Sequence, residues 1–319
     1  MRRIVAYAQY FSEKKWKTLF LVQPKVAERI GDLPGIDVTA VETGVWAKAA
    51  GRAPHLRRLG ERPRWLFSYG IPLHAPIGER NWFHVSNALP LYLGHATVSP
   101  RLFAKMAFLR LWLKLRAGHC DVVSAESRFS LDRYAAVVGA AKREILLNNG
   151  VPYSLTDRGP VNTVRERIAV AVGTVGYKRI DRTYAVYSAL KEELGVEQLC
   201  IVGRTDQVPA AVRRKGDVTI ESSIPDDAYF NLLARSKAFI STSEVENSSC
   251  AVIEGLLLSG TCILSDIPSH REMLLPGRVV HREVGGQPML LAHPGCLNRA
   301  NAYPWDEVIA SMLKAMGLA

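Results

Sequence analysis

The sequence predicts an α/β protein made of two doubly wound, Rossmann-like units with parallel sheets. Short apolar runs alternate with amphipathic stretches from end to end, the pattern of βαβ units. The 319 residues suffice for about two globular units. The alternation breaks once, at Asn148-Asn149-Gly150-Val151-Pro152, a dense turn signal followed by a polar stretch with little periodicity, and then restarts. Residues 1–152 are therefore expected to form one unit, 153–165 a linker, 166–300 a second unit and 301–319 a terminal helical segment.

The elements follow in order. In the first unit RIVAYA, DVTAV, RWLFSYG, NWFHVSN, CDVVSAES and REILLNNG read as strands or strand ends. Strand one is then expected to run into Gln9-Tyr10-Phe11-Ser12. Helices are expected over 101–117 and 129–138. The second unit opens with RIAVAVG (167–173), a loop and a helix over 181–194. LCIVGR (199–204) and VTIES (218–222) follow as strands, then a helix over 226–237 and the strand AFIST (238–242). A helix beginning near Cys250 and closed by Gly260, the buried strand TCILSD (261–266) and a helix over 305–316 complete the chain.

Composition narrows the function. With 48% hydrophobic and 22% charged residues the chain buries a sizeable core, which excludes disorder. No run approaches the roughly 18 apolar residues of a spanning helix, and the start MRRIVAYAQYFSEKK does not read as a secretory signal, so a cytoplasmic location is expected. Five cysteines without a CxxC pair suggest neither a disulfide framework nor a metal site. The net charge of +11 is uneven: residues 1–150 hold 23 Lys and Arg against 11 Asp and Glu, whereas 151–319 hold 18 against 19. A basic first unit suggests an anionic partner or simply a solvated basic face. Within it, Leu102, Met106, Leu109 and Leu113 form a core-facing helical stripe, while Phe108, Leu111, Trp112 and Leu115 form a second on the other side, flanked by cations. Either the helix is sandwiched between other elements, or its second face lies on an anionic bilayer.

Chemistry concentrates in residues 238–274. A buried strand runs into a loop carrying Glu244 and Glu246, and Asn247, Ser248 and Ser249 offer caps for the helix that follows. Such a strand–loop–helix aims backbone N–H groups and the positive end of a helix at the carboxyl edge of the sheet, where a phosphate binds. Glu254 lies about one turn inside the helix. In the first unit His84 and Asn87 stand at the end of a strand, as substrate contacts or as caps, with His95 a further candidate.

Glu246 and Glu254 with seven residues between them, the Gly-bounded helix, the buried strand and Asp266-x-Pro268-x-His270-Arg271-Glu272 together resemble the donor-site signature of family 4 retaining glycosyltransferases of the group 1 type. AVGTVGYKRIDRTYAVYSAL, CIVGR, DDAYFNLLARSKAFIST and NNGVP are similar to other pieces of that family, and WDEVIASMLKAM loosely to its terminal segment. The resemblance covers about 148–274 and 305–316. It implies the GT-B fold, two Rossmann-like domains facing across a cleft, with the terminal helix packing back on the first. It also implies transfer of a sugar from a UDP- or GDP-linked donor to an acceptor hydroxyl, with no tightly bound cofactor and no metal. Glu254 would hold the ribose and Lys178 the diphosphate. Glu246, with the amides of Asn247, Ser248, Ser249 and Cys250, would hold the sugar and phosphate, and His84 would face the donor across the cleft. Two departures stand out. Thr174 follows Gly173 where the family often has Arg, leaving Lys178, Arg179 or Arg204 to meet the phosphate, and the family's Gly-rich first loop is missing.

The resemblance and the basic first unit favour a glycan or lipid-linked acceptor at the inner face of a membrane, in cell-surface polysaccharide or lipopolysaccharide synthesis. His270 and Glu272 read as a structural pair beneath the donor loop. Among rivals, an oxidoreductase lacks GxGxxG after a strand. A nucleic-acid binder lacks any recognised module, so no nucleic-acid partner is expected. A catalytically silent sugar-nucleotide-binding relative stays open.

Overall fold

A computed structural model describes residues 2–41, 62–70, 76–152, 155, 164–222, 224–298 and 303–318. The first unit contains α1 (Arg2–Glu13), β1 (Thr18–Val22), α2 (Pro24–Ile30), β2 (Ile36–Ala40), β3 (Trp65–Tyr69), β4 (Arg80–Val85), α3 (Pro100–Arg116), β5 (Val122–Ala125), α4 (Arg128–Val137) and β6 (Glu144–Leu146). Strands β1 and β2 pair in parallel, and β3, β4, β5 and β6 form a second parallel sheet in that order.

The segment read as the strand RIVAYA is helical instead. Arg3, Tyr7, Ala8 and Phe11 recur at helical spacing and are all buried, so the period of the pattern decides against its β-branched content. The first strand is β1, which the sequence reading passed over. It runs through Gln23 into α2, whose first residue is Pro24, a position where the missing N–H costs nothing. The loop after strand one is therefore not Gln9–Ser12, and it holds no glycine.

Strand β7 (Gly150–Val151) leads out of the first unit; most of the expected linker lies outside the described residues. The second unit contains β8 (Glu166–Val172), α5 (Ile180–Leu194), β9 (Gln198–Val202), α6 (Ala210–Arg213), β10 (Val218–Glu221), α7 (Asp226–Arg235), β11 (Ser236–Ser241), α8 (Cys250–Leu258), β12 (Thr261–Ser265), α9 (Pro268–Glu272), β13 (Val280–Val284) and β14 (Gln287–Ala292). The sheet order is β10-β9-β8-β11-β12-β14-β13, parallel except for the two pairings made by β14. The β13–β14 hairpin went unread, because four of the five β13 residues are exposed and give no apolar run. Its turn was visible all the same: Gly285 and Gly286, at φ +57° and +72°, fit a two-residue turn that demands positive φ at both positions.

Helix α8 packs its apolar residues into one core cluster with Phe239 and Leu264. It ends at Leu258, so Gly260 is not its cap. A Cβ at Gly260 would meet the Lys237 carbonyl oxygen at 2.5 Å, and this close approach is what requires glycine there. Strand β15 (Tyr303–Pro304) pairs with β7 and leads into α10 (Trp305–Met316). Helix α10 buries Trp305, Ile309, Met312 and Leu313 against Tyr7, Phe11 and Trp82 of the first unit. Its last carbonyls take hydrogen bonds from that unit: Trp65 Nε1 donates to Met316 O (3.2 Å) and Arg143 to Ala315 O (2.9 Å). No helix among the described residues is long and apolar enough to cross a membrane.

Candidate active site

In the seven-stranded sheet of the second unit β9 and β10 lie to one side of β8, and β11 and β12 to the other, so the direction of winding reverses between β8 and β11. Ligands of open α/β sheets bind at such a switch point, beyond the carboxyl ends of the strands. The loop after β8 carries Gly173, Thr174 and a 3-10 turn, Gly176–Lys178, and enters α5 through Arg179 at φ +51°. The loop after β11 spans Thr242 to Ser249 and enters α8 at Cys250.

These two loops bring Lys178 and Glu246 together as an ion pair, with side chains 16% and 11% exposed. Burial pushes the Lys178 ammonium down, but the adjacent Glu246 carboxylate outweighs it and holds the lysine above its ordinary value. Burial likewise pushes Glu246 up, and the charge and hydrogen bond of Lys178 hold it below the usual carboxylate range. Both groups are therefore charged at neutral pH. Gly173, at φ +88°, lies under the Lys178 chain: a Cβ there would sit 3.2 Å from Lys178 Cε. The hydroxyl of Thr174 accepts a hydrogen bond from the Arg204 backbone N–H (3.0 Å) and donates to Gln207 (3.1 Å).

Asn247, Ser248, Ser249 and Glu254 are buried around the start of α8, and Cys250 is half-buried there. Ser249 occupies the N-cap position, and its side chain makes no capping hydrogen bond. By helix geometry the first N–H groups of a helix point out of its start, toward whatever lies before it. Asn247 is committed across the cleft instead. Its amide donates to Val85 O (2.6 Å) and Glu126 Oε2 (3.1 Å), and its oxygen accepts from Ser127 (3.3 Å). The carbonyl of Ser248 accepts from Asn149 (2.6 Å).

Two of the three expected phosphate cations are otherwise engaged. The Arg204 side chain is exposed and paired with Asp206 on its own turn (2.7 Å). Arg179 is held by Asp181 (2.6 Å) and Glu244 (2.7 Å).

His84 lies on the first unit's side, fully buried, with both ring nitrogens engaged inside the protein: Nδ1 with Ser124 Oγ (2.8 Å) and Nε2 with the Arg3 guanidinium. Burial, aided by Arg3, holds its pKa well below the ordinary value, so the ring is neutral. Arg3 also donates to Glu126 Oε1 (2.9 Å), and Asn149 donates to Glu126 Oε2 (2.9 Å). Burial raises the Glu126 carboxyl to about 7 despite Arg3. Arg3, Glu126 and Asn149 were missed as a group. Their signal was present: a glutamate ending the apolar run CDVVSAES, and an arginine on the same helical stripe as Tyr7 and Phe11.

The expected His270–Glu272 pair does not form. His270 is fully buried, with Nδ1 bonded to Ser265 O (2.9 Å) and Nε2 without a partner among the described residues. Glu272 reaches across the cleft and accepts from the N–H groups of Arg128 (2.8 Å) and Phe129 (2.6 Å), capping α4. Asn87 accepts from the Leu89 N–H (2.9 Å), a local turn bond. His95 lines a cleft of about 380 Å3 with Arg182, Glu244 and Asp266; a neighbouring cleft of about 350 Å3 holds Thr97, Thr174, Gly176 and Gln207. The Lys178–Glu246 pair lines neither. Among the described residues no group of three or more His, Cys, Asp or Glu is placed to hold a metal ion.

No protein-family model matches the chain, and no curated protein sequence does. Solved structures do. HepE of Anabaena, in complex with UDP and glucose, superimposes with a TM-score of 0.59 at 12% identity, over 86% of this chain and 80% of its own. Sucrose-phosphate synthase of Thermosynechococcus elongatus gives 0.57 at 14% identity, over 98% and 83%. The chain has the GT-B fold. TarM of S. aureus gives 0.52 at 14% identity, and the alignment spans about half of that longer protein, 52%, against 85% of this one. These GT-B neighbours are glycosyltransferases, and at such low identity they speak to the fold.

Proposed function

We propose that the protein is a glycosyltransferase that moves a sugar from a nucleotide-diphospho-sugar to an acceptor hydroxyl. The observation that carries this reading is the Lys178–Glu246 pair at the switch point of a GT-B second domain, beside the start of α8. The donor lies with its ribose on Glu254 and its diphosphate on Lys178 and the first N–H groups of α8. Negative charge builds on the departing diphosphate in the transition state. A buried lysine and a helix N-terminus fixed in advance stabilise it more there than in water. On donor binding Lys178 turns from Glu246 to the phosphate, which frees the Glu246 carboxylate to accept hydrogen bonds from the sugar hydroxyls. Asn247, Ser248, Ser249 and Cys250 shape the phosphate end, and Gly173 and Thr174 let the β8 loop approach it. His84, with both ring nitrogens engaged by Ser124 and Arg3, holds that buried group in place from within the first unit and does not touch the sugar.

The finer reading follows the resemblance: a UDP- or GDP-linked donor, retention of anomeric configuration, and no metal in the step. The acceptor is a glycan or lipid-linked precursor of a cell-surface polysaccharide, glycosylated in the cytoplasm at the inner face of the membrane. A ligand that binds only the folded state must raise its stability. The test is thermal stabilisation of the protein by UDP, GDP and their common sugar conjugates, repeated with Glu254→Ala. One nucleotide should raise the melting temperature, and the variant should abolish the shift; no shift with any nucleotide overturns the reading. Stabilisation with neither hydrolysis nor transfer of the sugar would favour the silent relative.

A further inference from the structure

Helix α3 leaves one face bare. Met106 and Leu113 are buried, and Leu102 and Leu109 pack with Leu89, Val245 and Tyr177. The opposite stripe is open: Phe108 is 36% exposed, Leu111 55% and Leu115 66%, with Phe103 at 45% on one margin. Four of the eight exposed large hydrophobic side chains among the described residues thus stand on this single helix, so the exposure is concentrated. Among the described residues nothing covers the second stripe, so they do not form the sandwiched arrangement.

Charge says what fits it. Residues 100–116 contain five cations and no acid. On the helical wheel Arg101, Lys105 and Arg116 fall on one side of the stripe and Arg110 and Lys114 on the other. Phe108 stacks on Trp112 at 5.9 Å, and the Arg116 guanidinium lies 5.1 Å above the Trp112 ring. An apolar stripe bordered on both sides by cations matches the boundary of an anionic bilayer, with acyl chains beneath the stripe and headgroups beside the cations. A second copy fits poorly. A two-fold pairing of the stripe with itself would set the same five cations of each copy along one seam.

We propose that the outward face of α3 docks the protein flat on an anionic lipid surface. The contact needs no donor, so it stands or falls separately from the glycosyl-transfer reading. Helix α3 follows directly on the loop that carries Tyr92, His95 and Thr97, residues that line the two clefts.

The experiment is sedimentation of the full chain with vesicles of phosphatidylcholine alone or mixed with phosphatidylglycerol, at low and high salt. Binding should require the anionic lipid and weaken with salt. Lys105→Gln/Lys114→Gln should lower partitioning about thirtyfold, on about 1 kcal/mol per cation near the surface. Leu111→Ser/Leu115→Ser should lower it at least about tenfold. An unchanged melting temperature would show that both variants fold. Any of four results overturns the proposal: no binding to anionic vesicles at low salt, equal binding to neutral ones, variants that bind like the parent, or a dimer in solution that the leucine variant dissociates. Saturable binding of an acidic protein through this face, with no vesicle binding, would reassign the surface.

Discussion

A buried ion pair is costly to assemble and costly to break, so Lys178 and Glu246 are poised to exchange partners. An incoming diphosphate offers Lys178 two charges in place of one. On the proposed reading Lys178→Gln removes the leaving-group cation, and it leaves Glu246 buried without its partner. Turnover with the competent donor should fall about a hundredfold or more, measured as kcat, with no loss of folded protein by circular dichroism. Glu126 carries a separate expectation. Its carboxyl is raised to about 7 in the folded state, so the folded form holds the proton more tightly than the unfolded one. The stability linked to that proton is full below the ordinary carboxylate value near 4.5 and is lost as pH rises to about 7. Glu126→Gln keeps the neutral shape and cannot titrate. Between about pH 5 and pH 8, urea unfolding should show the stability difference moving in favour of the variant by about 2 kcal/mol.

The elements that present these residues depend on close approaches that glycine permits. A Cβ at Gly255 would stand 2.6 Å from the Phe239 ring, so α8 lies directly on β11 only because that position is bare. Gly255→Ala should lower stability by about 1–3 kcal/mol in urea and weaken nucleotide binding, because the overpacked helix must lift its N-terminus away from Lys178. A variant equal to the parent in both would show that α8 has room to shift. The second unit was legible from β8 to β12, whose strands are buried runs; Lys178 and Glu246 were each marked by the sequence but not as a pair, and the exposed β13 hid the hairpin. The first unit was legible at β2 and from β3 onward, and misread at its start. RIVAYA has the β-branched content of a strand but the period of a helix, and β1 was overlooked just beyond it. The Arg3–Glu126–Asn149 group joins Arg3 to residues more than a hundred positions away, and although each member left a local signal, no local pattern brings them together.

At the scale of the molecule, three side chains of the second unit reach over the cleft and take up main-chain groups of the first. Glu244 accepts from the N–H and hydroxyl of Thr97, Asn247 donates to Val85 O, and Glu272 caps α4. Gly176 lets the loops meet, since a Cβ there would lie 3.0 Å from Thr97 O. These bonds describe a closed cleft held by polar contacts that water can replace, around the apolar seam of Leu89, Met106 and Val245. Closure of that kind is an equilibrium, and removing polar latches shifts it without unfolding either core. Glu244→Ala/Glu272→Ala removes two sets of cross-cleft hydrogen bonds, each worth about 1 kcal/mol, and should move the balance toward the open form about thirtyfold. Small-angle scattering should then report a larger radius of gyration for the variant without ligand. Nucleotide should bind it with a faster on-rate, because the path to Lys178 no longer waits for opening. An unchanged radius with an unchanged on-rate would mean that the apolar seam alone keeps the two units shut.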